Sequence, residues 1–313
     1  MRAIYEELPC KSALNPVKGM PFDWSLNPYT GCAHRCAFCY VRGFERRADR
    51  PSDARYGTVV RVKTNFVTQL KSELARKSWK REPVAIGAAT DPYQPAEAKY
   101  RLTRGTIETL AEFLTPFHII TRGPLIVRDL DVLMSAARRV NVSVNVSIST
   151  LDKKEWRELE PGAPDPKQRL KAVRALSDAG LNVGVAIAPV IPGVTDARET
   201  MSEVVRAARD AGATRVWSRG LYLAPGTLEH FLEALARAWP EEAARYQRLY
   251  AGRSYLPKAE DERLRNEVRA LAREHGVADR RTIRLEPDEA AQDEAPGGQL
   301  GLGLSTAPAA CRA

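Results

Sequence analysis

Short apolar, β-branched runs alternate with amphipathic segments over residues 24–222. The runs predict six strands, at residues 24–29, 84–89, 117–121, 142–150, 183–188 and 215–222. Between them, helical spacing of apolar residues predicts helices at residues 67–77, 106–114, 131–139, 167–179 and 198–211. A repeated strand–helix order with right-handed crossovers builds a parallel sheet. We therefore expect an α/β protein with a partial (β/α)6 TIM-type barrel at residues 24–224, whose site lies at the carboxyl ends of the strands.

The chain outside this core has other patterns. Residues 1–23 are predicted to form an N-terminal arm. Residues 225–286 are predicted to form a helical C-terminal extension, with helices at 229–239, 241–250 and 260–275. Residues 287–313 become acidic and then rich in Gly, Ala and Pro. Because such a segment cannot bury enough apolar surface to offset its ordering entropy, we expect a disordered tail.

Composition sets broad limits on what the protein does. The chain has 313 residues, of which 44% are hydrophobic and 28% are charged, an ordinary globular balance. No apolar run approaches the roughly 18–20 residues of a membrane span, and the N-terminus lacks the apolar region of a signal peptide. We therefore expect a cytoplasmic protein that does not associate with membranes. A net charge of +9 favours anionic partners such as nucleic acid, or reflects an arginine-rich composition.

Three of the five cysteines, Cys32, Cys36 and Cys39, fall within eight residues. Their C-x3-C-x2-C spacing supplies three thiolates from one loop and no fourth, whereas closed iron–sulfur and structural zinc sites take four ligands. Three ligands on a four-iron cluster leave one iron open for a substrate or cofactor. Zinc is the alternative, with His34 as a fourth ligand. His34 lies between two cysteines only four residues apart, which makes tetrahedral ligation awkward.

At these residues the chain resembles the radical S-adenosylmethionine (SAM) superfamily, whose members share C-x3-C-x-Φ-C, with Phe38 as the aromatic Φ. Further motifs resemble the spore photoproduct lyase-like branch: TDPYQPAE at 90–97, YRLTR at 100–104, EPG at 160–162 and VAIAPVIPGVTD at 185–196. This similarity covers residues 16–222 in collinear order. It implies a [4Fe–4S] cluster on the three cysteines, SAM on the open iron, and reductive cleavage of SAM to a 5′-deoxyadenosyl radical.

The resemblance also indicates which residues contact SAM. Phe38 is expected to pack near the adenine, with Tyr40 beside it. Thr90 and Asp91 end the second predicted strand, where an oxygen acceptor suits the SAM ammonium group; the alternative is an Asp-Pro turn in which the carboxylate caps local amides. The strand end around Ala188 is expected to give backbone and apolar contacts to adenine, although proline at a strand end also has a purely structural use.

Polar residues of the fourth predicted strand are further SAM candidates. Asn145, Ser147 and Ser149 project to one face and would bind the ribose and carboxylate oxygens, or else form a polar layer satisfied by water. Arg157 corresponds in position to a lysine that contacts the SAM carboxylate in spore photoproduct lyase; an exposed helix arginine is the alternative. Arg169 is a weaker candidate of the same kind.

One departure limits the resemblance. Spore photoproduct lyase has a hydrogen-donor cysteine near the end of the second strand, where this chain reads GAAT at 87–90. Cys10 and Tyr93 are weak candidates for a catalytic donor, unsupported by spacing. Repair of the spore photoproduct itself is therefore not expected, and the catalytic residues are not identified.

Two segments suggest partners. Arginines within residues 42–50, continued by Arg55, Arg61 and Lys63 and interleaved with Phe44 and Tyr56, could grip a phosphate backbone or form a solvated loop with local ion pairs. The tail segment QLGLGL, from Gln299 to Leu304, looks like the peptide by which bacterial DNA repair proteins bind the sliding clamp, although it lacks the usual terminal aromatic.

The leading hypothesis is a radical SAM enzyme that receives its electron from a reductant such as flavodoxin or ferredoxin and acts on an unknown substrate, such as a DNA lesion or modified base. Two other classes stay open. One is a DNA-associated repair adaptor with a structural iron–sulfur cluster and a clamp-binding tail. The other is a zinc-binding structural protein, which would be colourless.

Overall fold

The structure is a computed structural model that describes residues 3–20 and 22–277. The predicted tail at 287–313, with the possible clamp-binding peptide from Gln299 to Leu304, lies outside the described residues. Ten strands occur in the described part: β1 (Ile4–Leu8), β2 (Leu14–Pro16), β3 (Trp24–Leu26), β4 (Tyr29–Thr30), β5 (Val59–Lys63), β6 (Val84–Ile86), β7 (Phe117–Thr121), β8 (Val142–Ser147), β9 (Asn182–Val190) and β10 (Arg215–Gly220).

The same residues contain eleven α-helices and a short 3₁₀ helix at Pro124–Asp129. The α-helices are α1 (Arg42–Arg47), α2 (Phe66–Leu74), α3 (Ala96–Tyr100), α4 (Leu102–Glu112), α5 (Leu130–Ala137), α6 (Lys153–Leu159), α7 (Pro166–Asp178), α8 (Arg198–Asp210), α9 (Leu228–Ala238), α10 (Pro240–Leu249) and α11 (Lys258–Glu274). All eight helices predicted from periodicity are present.

The main sheet has the strand order β10-β9-β8-β7-β6-β3-β2. Its six strands from β3 to β10 pair in parallel, and only β2 pairs antiparallel, at the edge beside β3. This is the predicted partial (β/α)6 barrel, which stays open between β10 and the β3 side. Alternate residues on each strand face the helices; on β8 these are Val144, Val146 and Ile148, which pack into the main apolar core.

The first predicted strand was wrong in its extent, because the chain bends at Asn27 and Pro28. Residues 24–26 join the barrel as β3, whereas residues 29–30 form β4 of a separate sheet with the order β1-β5-β4. Proline has no amide hydrogen to continue the ladder, and the Asn27 side chain instead bonds Ala89 N at 2.7 Å. The small sheet lies directly before the cysteine loop, so it positions that loop over the barrel.

The helices after residue 225 cover one edge of the barrel. Helix α11 packs on β10 and α8, and α9 packs on α10 and α6. Buried Leu264, Val268 and Leu271 recur along α11 at helical spacing and join the main core. No helix in the described residues is long and apolar enough to cross a membrane.

This packing predicts a loss of stability when a buried side chain of α11 is shortened. Replacing the fully buried Leu264 by alanine should lower the free energy of unfolding by about 2–5 kcal/mol, because a cavity is left between α11 and the sheet. Chemical denaturation measures this change. Arg269→Ala, at an exposed position of the same helix, is the control and should change the value by less than about 0.5 kcal/mol. Equal effects of the two variants would contradict the packing.

Candidate active site

The three cysteines lie together in one tightly turned loop that follows β4. Cys32 and Cys36 are buried, and Cys39 is half-buried. Two backbone bonds close the turns, from Arg35 N to Cys32 O (3.3 Å) and from Cys39 N to Cys36 O (3.2 Å). Burial raises the pKa of the Cys36 thiol to about 12 and raises that of Cys32 well above its usual range. Free thiolates would therefore be costly here, and a bound metal cluster would supply the missing positive charge.

The far side of the loop is held by the turn after α6. Ala37 N donates to Leu159 O at 2.8 Å, and Gly162 N donates to His34 O at 3.0 Å. The approach is so close that a Cβ on Gly162 would lie 2.2 Å from Ala33 O. The EPG segment at 160–162 is thus a packing partner of the cysteine loop.

Thr90 and Asp91, predicted to bind SAM, are instead bonded to protein groups that surround the loop. Thr90 Oγ1 donates to Gly31 O at 2.8 Å and accepts from Gln94 Nε2 at 2.9 Å. Gln94 in turn accepts from Ala33 N through Oε1 at 3.0 Å. These bonds fasten the start of the cysteine loop to the end of β6.

The buried Asp91 carboxylate is satisfied by four different groups. Oδ1 accepts from Thr121 Oγ1 (2.6 Å) and Tyr93 N (2.9 Å), while Oδ2 accepts from Arg122 N (2.6 Å) and lies 3.2 Å from His34 Nδ1. Burial alone would raise the pKa of Asp91, but His34, Thr121 and the Arg122 amide outweigh it and hold that pKa at about 2. The bond from Tyr93 N fits the alternative of a carboxylate that caps a local amide, and the contact of Asp91 with SAM stays a prediction.

A chain of charged side chains, of which Glu160 and Arg169 are buried and Arg122 is half-buried, crosses the strand ends beside the loop. Arg122, directly after β7, donates through Nε to Glu160 Oε1 at 2.7 Å and through Nη2 to Ala188 O at 2.9 Å. Arg169 Nη2 lies 2.5 Å from Glu160 Oε2, and its Nη1 donates to Ser147 O at 3.0 Å. Burial would raise the pKa of Glu160, but the two guanidinium groups outweigh it and hold that pKa at about 2. Together with the neighbouring Asp91 carboxylate, which accepts from the Arg122 amide, these two guanidinium groups and two carboxylates balance in charge.

The other predicted SAM residues fall into two groups. Ser147, Ser149 and Ala188 lie at the carboxyl ends of β8 and β9, and the buried Ser149 Oγ has no partner in the described residues. Phe38 lies in the cysteine loop, and the Arg122 guanidinium is 5.5 Å from the centroid of its ring. Tyr40 is half-buried and packs edge-on against the ring of Phe44 at 5.6 Å.

Asn145 and Arg157 have surroundings that differ from the prediction. The Asn145 Oδ1 already accepts from Trp217 Nε1 (3.0 Å) and Arg215 Nη2 (3.1 Å) of β10. Arg157 is exposed on α6, as in the alternative interpretation, and Arg169 is the arginine that reaches the strand ends.

The two weak catalytic candidates lie in other contacts. Tyr93 is buried in the main core, and its pKa is raised by burial and by the neighbouring carboxylate of Asp129. Cys10 is half-buried, and its backbone N and O bond the Asn65 side chain at 2.7 and 3.0 Å. Neither residue contacts the cysteine loop.

The basic segment after the loop is largely ion-paired. Arg46 pairs with Glu229, Arg50 with Glu45 and Arg55 with Asp53. Arg61 lies within 3.5 Å of both Glu6 and Glu45. These pairs match the interpretation as a loop with local ion pairs, and they leave less free charge for a phosphate backbone than the sequence suggests.

Arg122, Glu160 and Tyr56 are site residues whose roles the sequence reasoning missed. Arg122 could have been found from strand register, because His118, Ile120 and Arg122 alternate onto the same face of β7 and its continuation. Glu160 was noted only as part of a motif. Tyr56, whose hydroxyl lies 3.4 Å from Cys39 Sγ, gives no local signal.

A partial parallel barrel with an open three-cysteine loop at its strand ends defines a class of metalloprotein, and the comparisons name it. Residues 26–204 match the model of the radical SAM superfamily, so the chain belongs to that superfamily. An uncharacterized protein of Mycobacterium tuberculosis is 42% identical over 277 residues, which cover 88% of this chain and 82% of the relative.

Two further similarities are more distant. A radical SAM Nα-GlyT isomerase of Pseudomonas phage M6 is 26% identical over 207 residues, which cover 64% of this chain and 41% of the relative. The structure of a spore photoproduct lyase variant with bound AdoMet and dinucleoside spore photoproduct superposes with a TM-score of 0.67 at 14% identity, over 87% of this chain and 79% of that one. This likeness confirms the fold of the barrel.

The contacts of Asp91 predict what its neutral analogue does. Asp91→Asn replaces one accepting oxygen by a donor that faces other donors, so we expect a loss of about 2–3 kcal/mol in the free energy of unfolding and a lower iron content after anaerobic reconstitution. The control is Asp131→Asn, at a largely exposed ion pair, where about 1 kcal/mol or less is expected. An Asp91→Asn protein that keeps its stability and iron but loses SAM affinity would show direct SAM binding instead.

Proposed function

We propose that this protein is a radical SAM enzyme whose cluster is held by Cys32, Cys36 and Cys39. The observation that carries the proposal is a largely buried loop with three thiols; the other cysteine of residues 3–20 and 22–277, Cys10, bonds Asn65 instead. Among the described residues, no three His, Cys, Asp or Glu side chains converge on a position suited to a single metal ion. That finding disfavours the zinc alternative, because zinc needs converging ligands, whereas cysteines of a four-iron cluster bind different irons.

The surroundings of the loop fit a cluster and SAM. Backbone bonds from both sides fix the loop, and the guanidinium groups of Arg122 and Arg169 favour a deprotonated Cys36. The unpartnered Ser149 hydroxyl and the Phe38 ring lie where a polar, aromatic ligand would satisfy both. We assign Phe38, Ser147, Ser149 and the Ala188 strand end to SAM, and Thr90 and Asp91 to positioning the loop.

When bound, the cluster supplies the electron that cleaves SAM into methionine and a 5′-deoxyadenosyl radical, which abstracts a hydrogen atom from the substrate. The protein's own residues contribute orientation and exclusion of water. Asp91, Thr90 and Gln94 hold the loop in one conformation, and Arg122 links it to β9 through Ala188 O. Tyr40 and Phe44 pack beside the loop where α1 begins.

The substrate class that we favour is nucleic acid, in line with the net charge of +9. The bound ligand in the spore photoproduct lyase structure is a dinucleoside, which supports this choice by analogy of fold alone. A reductant such as flavodoxin or ferredoxin would supply the electron. The ion-paired basic segment gives no added support to the DNA-associated adaptor, whose clamp-binding part lies outside the described residues.

The assignment of the loop cysteines as cluster ligands is tested with two cysteine variants. Anaerobically reconstituted wild-type protein should be brown, contain iron and convert SAM to 5′-deoxyadenosine after reduction. Cys36→Ala should lose the brown colour and the turnover, because one cluster ligand is missing. Cys10→Ala is the matched control and should keep both, since Cys10 bonds Asn65 away from the loop. Equal turnover by Cys36→Ala, or a wild-type protein that binds zinc and no iron, would contradict the proposal.

A further inference from the structure

Three neighbouring strands present chemically different columns of residues on the inner face of the barrel. Register places Asn145, Gly184 and Arg215 in one row and Ser147, Ala186 and Trp217 in the next. Beyond this row the pairing of β10 with β9 shifts by one residue between Ser218 and Gly220, so the exposed Arg219 lies at an irregularity toward the carboxyl ends. The columns are polar on β8 (Asn145, Ser147, Ser149), small on β9 (Gly184, Ala186, Ala188) and cationic or aromatic on β10 (Arg215, Trp217, Arg219).

The Trp217 indole lies across β9. Its Nε1 bonds Asn145 Oδ1, yet β8 and β10 are separated by β9 and therefore lie about 10 Å apart. The ring can span that gap only because the residues beneath it are small. Arg215 crosses in the same way: a Cβ on Gly184 would come within 2.8 Å of the Arg215 Cγ and Nε atoms. Asn145 is thus a positioning residue that pins both side chains.

The outer surface of the indole stays accessible. Trp217 is 37% exposed, although Val216 and Ser218 on the opposite face of β10 are buried. Arg219 is exposed and has no hydrogen bond or ion pair within residues 3–20 and 22–277. The amino end of the barrel is filled by Phe22, whose ring lies 5.1 Å from that of His118. The open indole face therefore borders the barrel interior and its open side.

We propose that the part of this inner face at Gly184, Ala186 and β10 is a nucleotide-binding subsite beside the residues assigned to SAM, with Trp217 as the stacking surface for a base and Arg219 as a contact to the adjoining phosphate. This inference rests on the proposed function and deepens it, because the subsite lies in the same barrel below the cysteine loop. Aromatic side chains bind bases by stacking with little regard to sequence, and guanidinium groups pair with phosphate oxygens. None of the nine inner-face positions is acidic, so an anionic ligand meets no repulsion there.

The test measures binding of a fluorescently labelled, mixed-sequence single-stranded oligonucleotide to the reconstituted protein by anisotropy. Trp217→Ala should weaken binding about tenfold, since stacking of one base is worth about 1–3 kcal/mol. Trp217→Phe should lose less, because an aromatic surface remains. Arg219→Gln should weaken binding severalfold and reduce the salt dependence by about one phosphate contact.

Two control variants distinguish binding at this subsite from a general effect of surface charge, and stability measurements distinguish it from a loss of folding. Ile4→Ala removes a 64% exposed apolar side chain on the separate small sheet, and Arg269→Gln removes an exposed cation on α11; both should bind like wild type. Each variant is compared by iron content and thermal unfolding. Unchanged affinity of Trp217→Ala, or an absence of oligonucleotide binding by wild type, would overturn the subsite. Absence of SAM cleavage in wild type would instead overturn the proposed function.

Independently of this subsite, Tyr56 packs against a cysteine of the loop. Its buried hydroxyl lies 3.4 Å from Cys39 Sγ, and the Arg42 guanidinium lies 4.6 Å from its ring centroid. Arg42 is itself buried and donates to four backbone carbonyls, including Cys36 O (3.3 Å) and Asp53 O (2.6 Å). The next residue, Gly57, is so close to the loop that a Cβ would lie 2.2 Å from Cys32 O. The phenol is therefore rigidly held against one cluster thiol.

The geometry points to Tyr56 as a positioning residue that donates a hydrogen bond to the Cys39 thiolate and raises the reduction potential of the bound cluster. Hydrogen bonds to cluster sulfurs withdraw electron density and favour the reduced, more negative state. This inference rests on the proposed cluster and does not require that the protein cleaves SAM.

Tyr56→Phe should shift the midpoint potential of the reconstituted cluster to more negative values in an anaerobic redox titration, whereas Tyr255→Phe should not. An unchanged potential at full iron content would overturn the assignment. If Tyr56→Phe fails to hold iron, electron–nuclear double resonance of reduced wild type in D₂O decides: no exchangeable deuteron coupled to the cluster would overturn it. A wild-type protein without iron would contradict the proposed function instead.

Discussion

The buried Asp91 carboxylate is the interaction on which the site depends. A loop with two fully buried thiols has little apolar surface of its own and must be positioned by contacts from elsewhere in the chain. Asp91 supplies them by joining His34 of the loop to Thr121 and Arg122 at the end of β7. Its four partners compensate the cost of burying a charge, which an incompletely bonded carboxylate could not meet. The residues at the carboxyl ends of the strands thus determine the position of the cysteine loop.

Charge balance gives the second constraint. Arg122 and Arg169 pair with the buried Glu160, and the Asp91 carboxylate accepts from the Arg122 amide. Two guanidinium groups therefore face two carboxylates, and these four residues carry no net charge. Arg122 and Arg169 nevertheless act against burial to lower the pKa of Cys36, so they favour a deprotonated cysteine there. This arrangement explains why strongly perturbed groups concentrate at this end of the barrel.

The sequence predicted what depends on local pattern. Strand and helix periodicity identified the barrel and eight of the eleven α-helices of the described residues, and the cysteine spacing identified the metal loop; the short helices α1, α3 and α6 were not predicted. What it missed depends on distant partners. The short strand β5 pairs with β1, which lies 55 residues earlier, and neither strand alternates strongly enough to be recognised alone. Asp91 and Asn145 were recognised as polar residues at strand ends, but their partners at positions 34, 121, 215 and 217 could not be inferred without the fold.

The inner face of the barrel has room for SAM and for a substrate side by side. A SAM-binding region needs an aromatic contact and polar groups near the cysteine loop, and Phe38 and Ser149 are the residues proposed for them. A substrate needs space that SAM does not fill, and the small column at Gly184 and Ala186 creates it. Larger residues there would displace Trp217 and Arg215 from Asn145, because both side chains cross β9 over those positions. The same two small residues therefore determine where the accessible aromatic surface lies, and with it the part of the barrel that is left for a substrate.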